Sequence, residues 1–266
     1  MSLRAGILMM RQPWPARERA WIHAIEQQCQ VVGVYVPQTK SVTASKWRLQ
    51  WKRISRNGVH RAPFNAVADL LYRRMFRRVR SLRNRKWSGA PSHASLPITE
   101  LDPADGKQIE QLIARDQPDC LFNFGFGIIR EPLLSVTRLG VFGLHHGIVP
   151  VIRGLCTPFW AVAEDRPDWL GITLQKYSAE LDAGDIVDQV CLLPQTHRDW
   201  AEATLALDQL GMDMMIRAVH RLQSGSLPQF RSVETEGDYR GVPTLASMLR
   251  YQRRKAAFFT GSKRGP

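Results

Sequence analysis

Between Pro118 and Gln189 the chain gathers most of the side chains suited to chemistry. His145 and His146 follow a short apolar run, Gly140 to Leu144 (GVFGL), and Asp182 and Asp185 lie in Glu180-Leu-Asp-Ala-Gly-Asp-Ile186. A histidine at a strand end exchanges a proton near neutral pH. A carboxylate beside it can hold the ring or a bridging water and favour the charged ring. Acyl transfer to an amine needs that pair, because the amine must lose a proton while the carbonyl oxygen gains charge that donors must meet. Each residue alone also has a structural reading. His145 could be a satisfied core histidine, and Asp182 before Ala-Gly fits ordinary turn chemistry. His146 reads equally as a participant or as a neighbour pointing the other way from the strand. Upstream, Phe124-Gly-Phe-Gly-Ile-Ile129 contains two glycines that permit close backbone approach to a ligand, or that simply turn the chain.

These residues need strands to hold them apart and turns to bring them together. Gly6 to Met10 and Val31 to Val36 read as buried strands, with a helical spacing of apolar residues from Glu18 to Gln28 between them. Strand, helix, strand at this spacing predicts a parallel unit. From Phe64 the apolar residues Val67, Leu71, Met75 and Val79, with Leu82 nearby, predict a helix with one apolar stripe and an arginine-covered face. Asn84 to Ser95 reads as a surface loop, and Ile98 begins a further element. Asp105 to Arg115 reads as a helix, and Cys120 to Phe124 as a strand. Thr157 to Ala163 follows as a helix, then Gly171 to Tyr177 and Asp185 to Leu193 as strands. Trp200 to Leu222 carries a long helical pattern, and the tail after Gly225 reads as irregular. The pattern divides the chain into a catalytic α/β domain over 1–195 and a C-terminal helical extension and tail over 196–266.

The string Gly143-Leu-His-His-Gly-Ile-Val-Pro150, Arg153-Gly154, Trp160-Ala161, Gly171-Ile-Thr-Leu174 and Leu181-Asp-Ala-Gly-Asp-Ile186 resembles the catalytic domain of the formyltransferase family. The family pattern is a strand ending Asn-x-His, then Leu-Pro, Arg-Gly, a Trp-Ala helix, a Gly-x-Thr strand and a Leu-Asp-x-Gly-Asp-Ile loop. Tyr239 to Thr244 (YRGVPT) is similar to an element that follows the core in many members. The resemblance is good from about Pro97 to Gln189 and weak elsewhere. It implies a Rossmann-like, mostly parallel sheet flanked by helices, and transfer of a formyl group from 10-formyltetrahydrofolate to an amine. His145 and Asp182 match the family's catalytic pair. Phe124, Gly125, Phe126 and Gly127 would lie beside the pterin ring, and Asp185 would help hold it. Arg153 would shape the loop over the site, or stand as a plain surface arginine.

Gly143 departs from the pattern, since the family has Asn there to donate to the formyl oxygen. Three readings stay open: a donor from elsewhere, with Asn123 on the adjacent strand as the candidate; a slow enzyme or an unusual acceptor; or a homologue that binds folate or amine without catalysis. Hydrolysis, with water as the acceptor, is a further alternative.

Composition narrows the class. The chain of 266 residues is 44% hydrophobic and 23% charged, an ordinary globular balance. Cys29, Cys120, Cys156 and Cys191 are widely spaced, which argues against a zinc ribbon. Cys29, Cys120 and Cys191 read as buried thiols, and a cytoplasmic home is expected. The net charge of +13 is local: residues 46–86 hold 14 basic residues and one acid, Asp69. That segment could face the phosphates of a sugar nucleotide, contact a polyanion or membrane surface, or be a solvated face. Met10 to Pro15 cannot form a phosphate-cradling nest, so a glycinamide ribonucleotide acceptor is not expected. The helical stretch after Leu193 does not fit the β-barrel of methionyl-tRNA formyltransferases. The regulatory domain usual in formyltetrahydrofolate hydrolases, which resemble this chain at the doubled His, finds no room. Amino-sugar-type or other small-amine acceptors remain, a sugar nucleotide among them.

Overall fold

A continuous apolar run buries the first strand, β1 (Arg4–Met9), in the middle of a seven-stranded sheet. The computed structural model describes residues 2–38, 62–91, 96–226 and 237–261. After β1 come α1 (Ala16–Glu26), β2 (Gln30–Pro37), α2 (Ala62–Lys86), β3 (Ile98–Leu101), α3 (Gly106–Asp116), β4 (Cys120–Phe124) and β5 (Val141–His145). There follow β6 (Ile152–Gly154), α4 (Thr157–Glu164), β7 (Gly171–Lys176), β8 (Asp185–Cys191), α5 (Trp200–Ser224), β9 (Asp238–Arg240) and α6 (Leu245–Thr260). The sheet order is β3-β2-β1-β4-β5-β7-β8. The five strands from β3 to β5 run parallel, and β7 and β8 add an antiparallel hairpin at one edge. This is the Rossmann-like, mostly parallel sheet that the resemblance implied.

Strand alternation sorts the side chains onto two faces. Ile7, Met9, Phe122, Phe124 and Phe142 pack with α1, α4 and α5 in the larger core. Leu8, Leu121 and Val141 pack with Ile109 and Leu112 of α3 and with Phe126, Ile129 and Leu133 of the following loop. Gly211 lets α5 approach the seam between β5 and β7. A Cβ there would lie 2.8 Å from side-chain carbons of both Leu144 and Ile172. α5 therefore shares the sheet's core, although it follows the division drawn at 195/196.

Among the described residues the tail after Gly225 contains regular elements, against the irregular tail expected. β9 pairs in parallel with β6, and α6 follows with a capping box between Thr244 and Ser247. Met248, Tyr251, Phe258 and Phe259 of α6 are buried. The cluster Arg250, Arg253, Arg254 and Lys255 obscured that stripe, although Arg250 pairs with Glu164 and Arg254 donates to the Ala163 carbonyl of α4. The expected loop at Asn84 also begins later, because α2 continues to Lys86 and Trp87 is buried. Cys29 and Cys120 are buried as expected, but Cys191 is exposed, at the end of edge strand β8. Residues 46–61 of the basic segment lie outside the described residues. Among the described residues no helix is long and apolar enough to cross a membrane.

Candidate active site

The carboxyl ends of β4 and β5 meet the β7–β8 hairpin, the part of an open α/β sheet where ligand sites form. His145 is the last residue of β5 and pairs in register with Thr173 of β7. Its Nδ1 lies 3.4 Å from Oδ1 of Asp182, and its Nε2 lies 3.2 Å from the Ile152 carbonyl oxygen. The two residues are 37 positions apart in sequence, and the hairpin loop brings them together. The Gly154 N–H donates to Asp182 Oδ2 at 2.8 Å, so the Arg-Gly element orients the carboxylate. Asp182 has a positive φ of 51°, which Asp tolerates better than most residues. Burial works to raise its carboxyl pKa. Contact with His145, the Gly154 N–H and the Arg153 charge together outweigh burial and hold it below the usual carboxylate range.

Several further groups fix this arrangement. The Thr173 hydroxyl donates to the Gly147 carbonyl at 2.7 Å and accepts from the Val149 N–H at 3.3 Å. Gln189 Nε2 donates to the Val149 carbonyl at 2.8 Å and to Thr173 Oγ1 at 2.9 Å. These bonds pin the chain that leaves His145. Gly184 N–H donates to Gln175 Oε1 at 3.2 Å, anchoring the Asp182 loop. Sequence reasoning assigned no task to Thr173, Gln175 or Gln189. The signal was present in the alternation of β7, which places Thr173, Gln175 and Tyr177 on the face of His145.

Gly143 sits two residues before His145 on that same face, in register with Asn123 of β4. A Cβ at position 143 would fall 2.1 Å from the Tyr177 hydroxyl and 2.4 Å from its Cζ. The tyrosine ring therefore fills the space a side chain would occupy. Asn123 Oδ1 accepts from the Gly125 and Phe126 N–H groups at 3.0 and 2.9 Å. Its Nδ2 donates to the Gly127 carbonyl at 3.5 Å.

The remaining expected residues divide. Phe124 and Phe126 are buried, Gly125 and Gly127 are exposed with φ of 111° and 119°, and Ile128 stands 56% exposed. Ile128, Leu134 and Leu181 line a cavity of about 320 Å³ with Arg130, Glu131 and Ala179, beside Asp182. Asp185 starts β8 opposite Lys176 and is half-buried. Arg153 is not a plain surface arginine: it is 9% exposed, and its Nη1 donates to Glu180 Oε1 at 3.0 Å.

His146 faces the other way. Its Nε2 lies 3.1 Å from Oδ1 of Asp208, a fully buried residue of α5. Asp208 also accepts from Arg17 Nη1 at 2.7 Å and from Arg83 Nε and Nη2 at 2.6 and 2.8 Å. Burial works to raise the Asp208 carboxyl pKa, but His146 and the two arginines hold it far below the usual range. Burial lowers the pKa of His146, only partly offset by Asp208. The doubled histidine is thus split between the contact with Asp182 on one face of the sheet and an internal charge cluster on the other.

No family model matches the chain. The methionyl-tRNA formyltransferase of Thermotoga maritima is 26% identical over 151 residues, 54% of this chain and 48% of that protein. That of Phocaeicola vulgatus is 30% identical over 133 residues, 48% of this chain and 40% of that protein. The chain thus spans less than half the length of these curated relatives. Glycinamide ribonucleotide transformylase 1 from Symbiobacterium toebii shares the fold with a TM-score of 0.56 at 13% identity, over 88% of this chain and 95% of that one. A 4-N formyltransferase from Francisella tularensis shares it with a TM-score of 0.56 at 12% identity, over 95% of this chain and 87% of that one. Over about half of its length the chain is thus similar to methionyl-tRNA formyltransferases, and it shares the fold of the transformylase and the 4-N formyltransferase.

Proposed function

We propose that the protein transfers a formyl group from 10-formyltetrahydrofolate to an amine. The observation that carries this reading is the contact between His145 and Asp182 at the carboxyl edge of the sheet. The formyl donor is a substrate, consumed at each turnover. The cavity beside Asp182, edged by the exposed apolar side chains of Ile128 and Leu181, suits one flat heteroaromatic ring. The glycines at 125 and 127 leave backbone groups of the preceding segment free of shielding side chains.

In this reading His145 Nε2 turns from the Ile152 carbonyl oxygen to the attacking amine, takes the proton it releases and later returns it to the folate nitrogen that leaves. Asp182 holds the ring through Nδ1 and balances the charge that His145 gains, and the Gly154 N–H keeps the carboxylate aimed. Asp185 and the segment Phe124–Gly127 border the donor, and Arg153 braces the loop through Glu180. The acceptor is an amine on a small molecule, a sugar nucleotide being the candidate. Its phosphates would meet the exposed arginines of α2, among them Arg74, Arg77 and Arg80.

The test measures tetrahydrofolate release from 10-formyltetrahydrofolate with and without a panel of amines that includes amino-sugar nucleotides. The expected result is amine-dependent release, lost in His145→Ala while donor binding persists. Release that ignores every amine would mean hydrolysis. Binding without release would mean a carrier.

A further inference from the structure

The formyltransferase reading leaves one gap, the missing side chain at Gly143, and the structure shows what fills it. The antiparallel register places Gly143 opposite Gln175, and the Tyr177 N–H donates to the Val141 carbonyl at 2.8 Å. Val141, Gly143 and His145 therefore share one face with Thr173, Gln175 and Tyr177. From its place opposite Val141 the Tyr177 ring reaches along β5 toward His145. Its hydroxyl lies 2.1 Å from where a Cβ of residue 143 would be, so ring and side chain cannot coexist there.

Asn123 flanks this space from β4. Its Oδ1 accepts from the Gly125 and Phe126 N–H groups, which fixes the amide plane, and its Nδ2 donates to the Gly127 carbonyl at 3.5 Å. The phenol hydroxyl carries a hydrogen to donate. Its place over Gly143 is two residues along β5 from His145.

We infer that Tyr177 is a catalytic residue of this site: its hydroxyl, held where a side chain of residue 143 would lie, donates to the formyl oxygen as charge develops there. The inference rests on the formyl-transfer reading. Burial pushes the phenol up, Asn123 draws it back in part and Asp182 adds to the rise, leaving it at about 12. The group is then neutral and able to donate throughout the physiological range. As the amine nitrogen bonds to the formyl carbon, one C=O electron pair moves onto oxygen, where the Tyr177 O–H meets it. The amine proton passes to His145. The C=O bond then re-forms, the bond from carbon to the folate nitrogen breaks, and that nitrogen takes the pair and the proton from His145. Gly143 is on this account the complement of Tyr177 rather than a loss of function.

The experiment uses the full chain and the variants Tyr177→Phe, Tyr177→Ala, Gly143→Asn and Gly143→Asn/Tyr177→Ala. One readout is amine-dependent turnover. The other is the isotope-edited infrared carbonyl stretch of 10-formyl-5,8-dideazafolate bound without acceptor. Removing one such donor costs on the order of a hundredfold in rate. Tyr177→Phe should lose about that much, with donor affinity kept within a few-fold and the carbonyl stretch moved toward its value in an apolar solvent. Gly143→Asn should fail alone, through overlap with the ring. The double variant should turn over roughly tenfold or more faster than Tyr177→Ala, because the new amide takes the vacated place. Turnover within threefold of wild type in Tyr177→Phe, with an unmoved carbonyl stretch, would overturn the inference and leave the formyl-transfer reading standing. A wild-type protein that neither binds the analogue nor releases tetrahydrofolate would sink the reading itself. If Tyr177→Phe melts early, the carbonyl stretch of the analogue bound to the folded variant at low temperature still decides, since a purely structural tyrosine leaves it unmoved.

Discussion

Replacing Asp208 with Asn tests the division of labour between the two adjacent histidines. The side chain keeps its shape and loses its charge. In the wild type one buried carboxylate accepts three hydrogen bonds from Arg17 and Arg83 and faces His146. An amide offers one acceptor oxygen and turns two donors toward donors. The side chains of Arg17 and Arg83 are 15% and 18% exposed, so water compensates little. Removing one partner from a buried pair costs about 3–5 kcal/mol, or roughly 10 °C of melting temperature in a domain of this size. Equilibrium unfolding in urea at pH 7 reads the loss directly. The Asp208 carboxyl is depressed in the folded state, so its contribution is full above the unfolded carboxylate range and disappears only as pH falls through the lower folded value. The gap between wild type and variant should therefore persist at pH 4. His146 is depressed as well, so the wild type should lose some stability as pH drops below the ordinary histidine range. Turnover per folded molecule should stay within a few-fold of wild type, because Asp208 lies across the sheet from His145. A stability loss under about 1 kcal/mol would refute the argument that the cluster is held by the carboxylate's charge. A turnover loss of a hundredfold in fully folded protein would place His146 in the chemistry.

Asp182→Asn should slow transfer by about 10²–10⁴ while the chain stays folded, read by single-turnover kinetics. Its depressed carboxyl also predicts that wild-type activity will not lose this group until pH falls below the usual carboxylate range, which a pH–rate profile to pH 4 checks. Gly154→Ala meets a φ of 94° and puts a Cβ 2.2 Å from the Arg240 carbonyl oxygen. It should cost about 2 kcal/mol or more and slow turnover in proportion as the Gly154 N–H loses Asp182, measured by melting and by rate together. Ile128→Asp should raise the dissociation constant of the formyl donor by about tenfold in a binding titration and leave the melting temperature nearly unchanged, since Ile128 is 56% exposed.

The parallel half of the fold was legible because its strands are short apolar runs bounded by Gly and Pro, and Cys120–Phe124 matches its expected bounds residue for residue. The candidate pair was legible for a different reason. His145 and Asp182 belong to separate motifs whose order matched a known string, and the 3.4 Å contact follows from the hairpin between them. What escaped was set by tertiary pairing. α6 hides its apolar stripe among arginines, and β9 has only three residues, which no periodicity reveals. Tyr177 escaped because its partner is an absence. Nothing in a sequence marks a glycine as room for a ring 34 positions away until the strands are in register.

The seam between the parallel and antiparallel halves gives the site its coherence. The β7–β8 hairpin carries Thr173, Tyr177, Asp182 and Gln189, while the parallel strands carry Asn123 and His145. Beside the β5–β7 pairing, bonds from Tyr177 N–H to the Val141 carbonyl and from Gln189 Nε2 to the Val149 carbonyl, both at 2.8 Å, help tie the halves. Tyr177 and Asp182 leave β7 on one short loop, so any shift of the hairpin moves phenol and carboxylate as a unit toward or away from the imidazole. A side chain at position 143 would wedge that unit outward through the ring, and the His145–Asp182 contact would lengthen with it. The glycine is therefore coupled to the His145–Asp182 contact as well as to the tyrosine, although it touches neither residue through a side chain of its own.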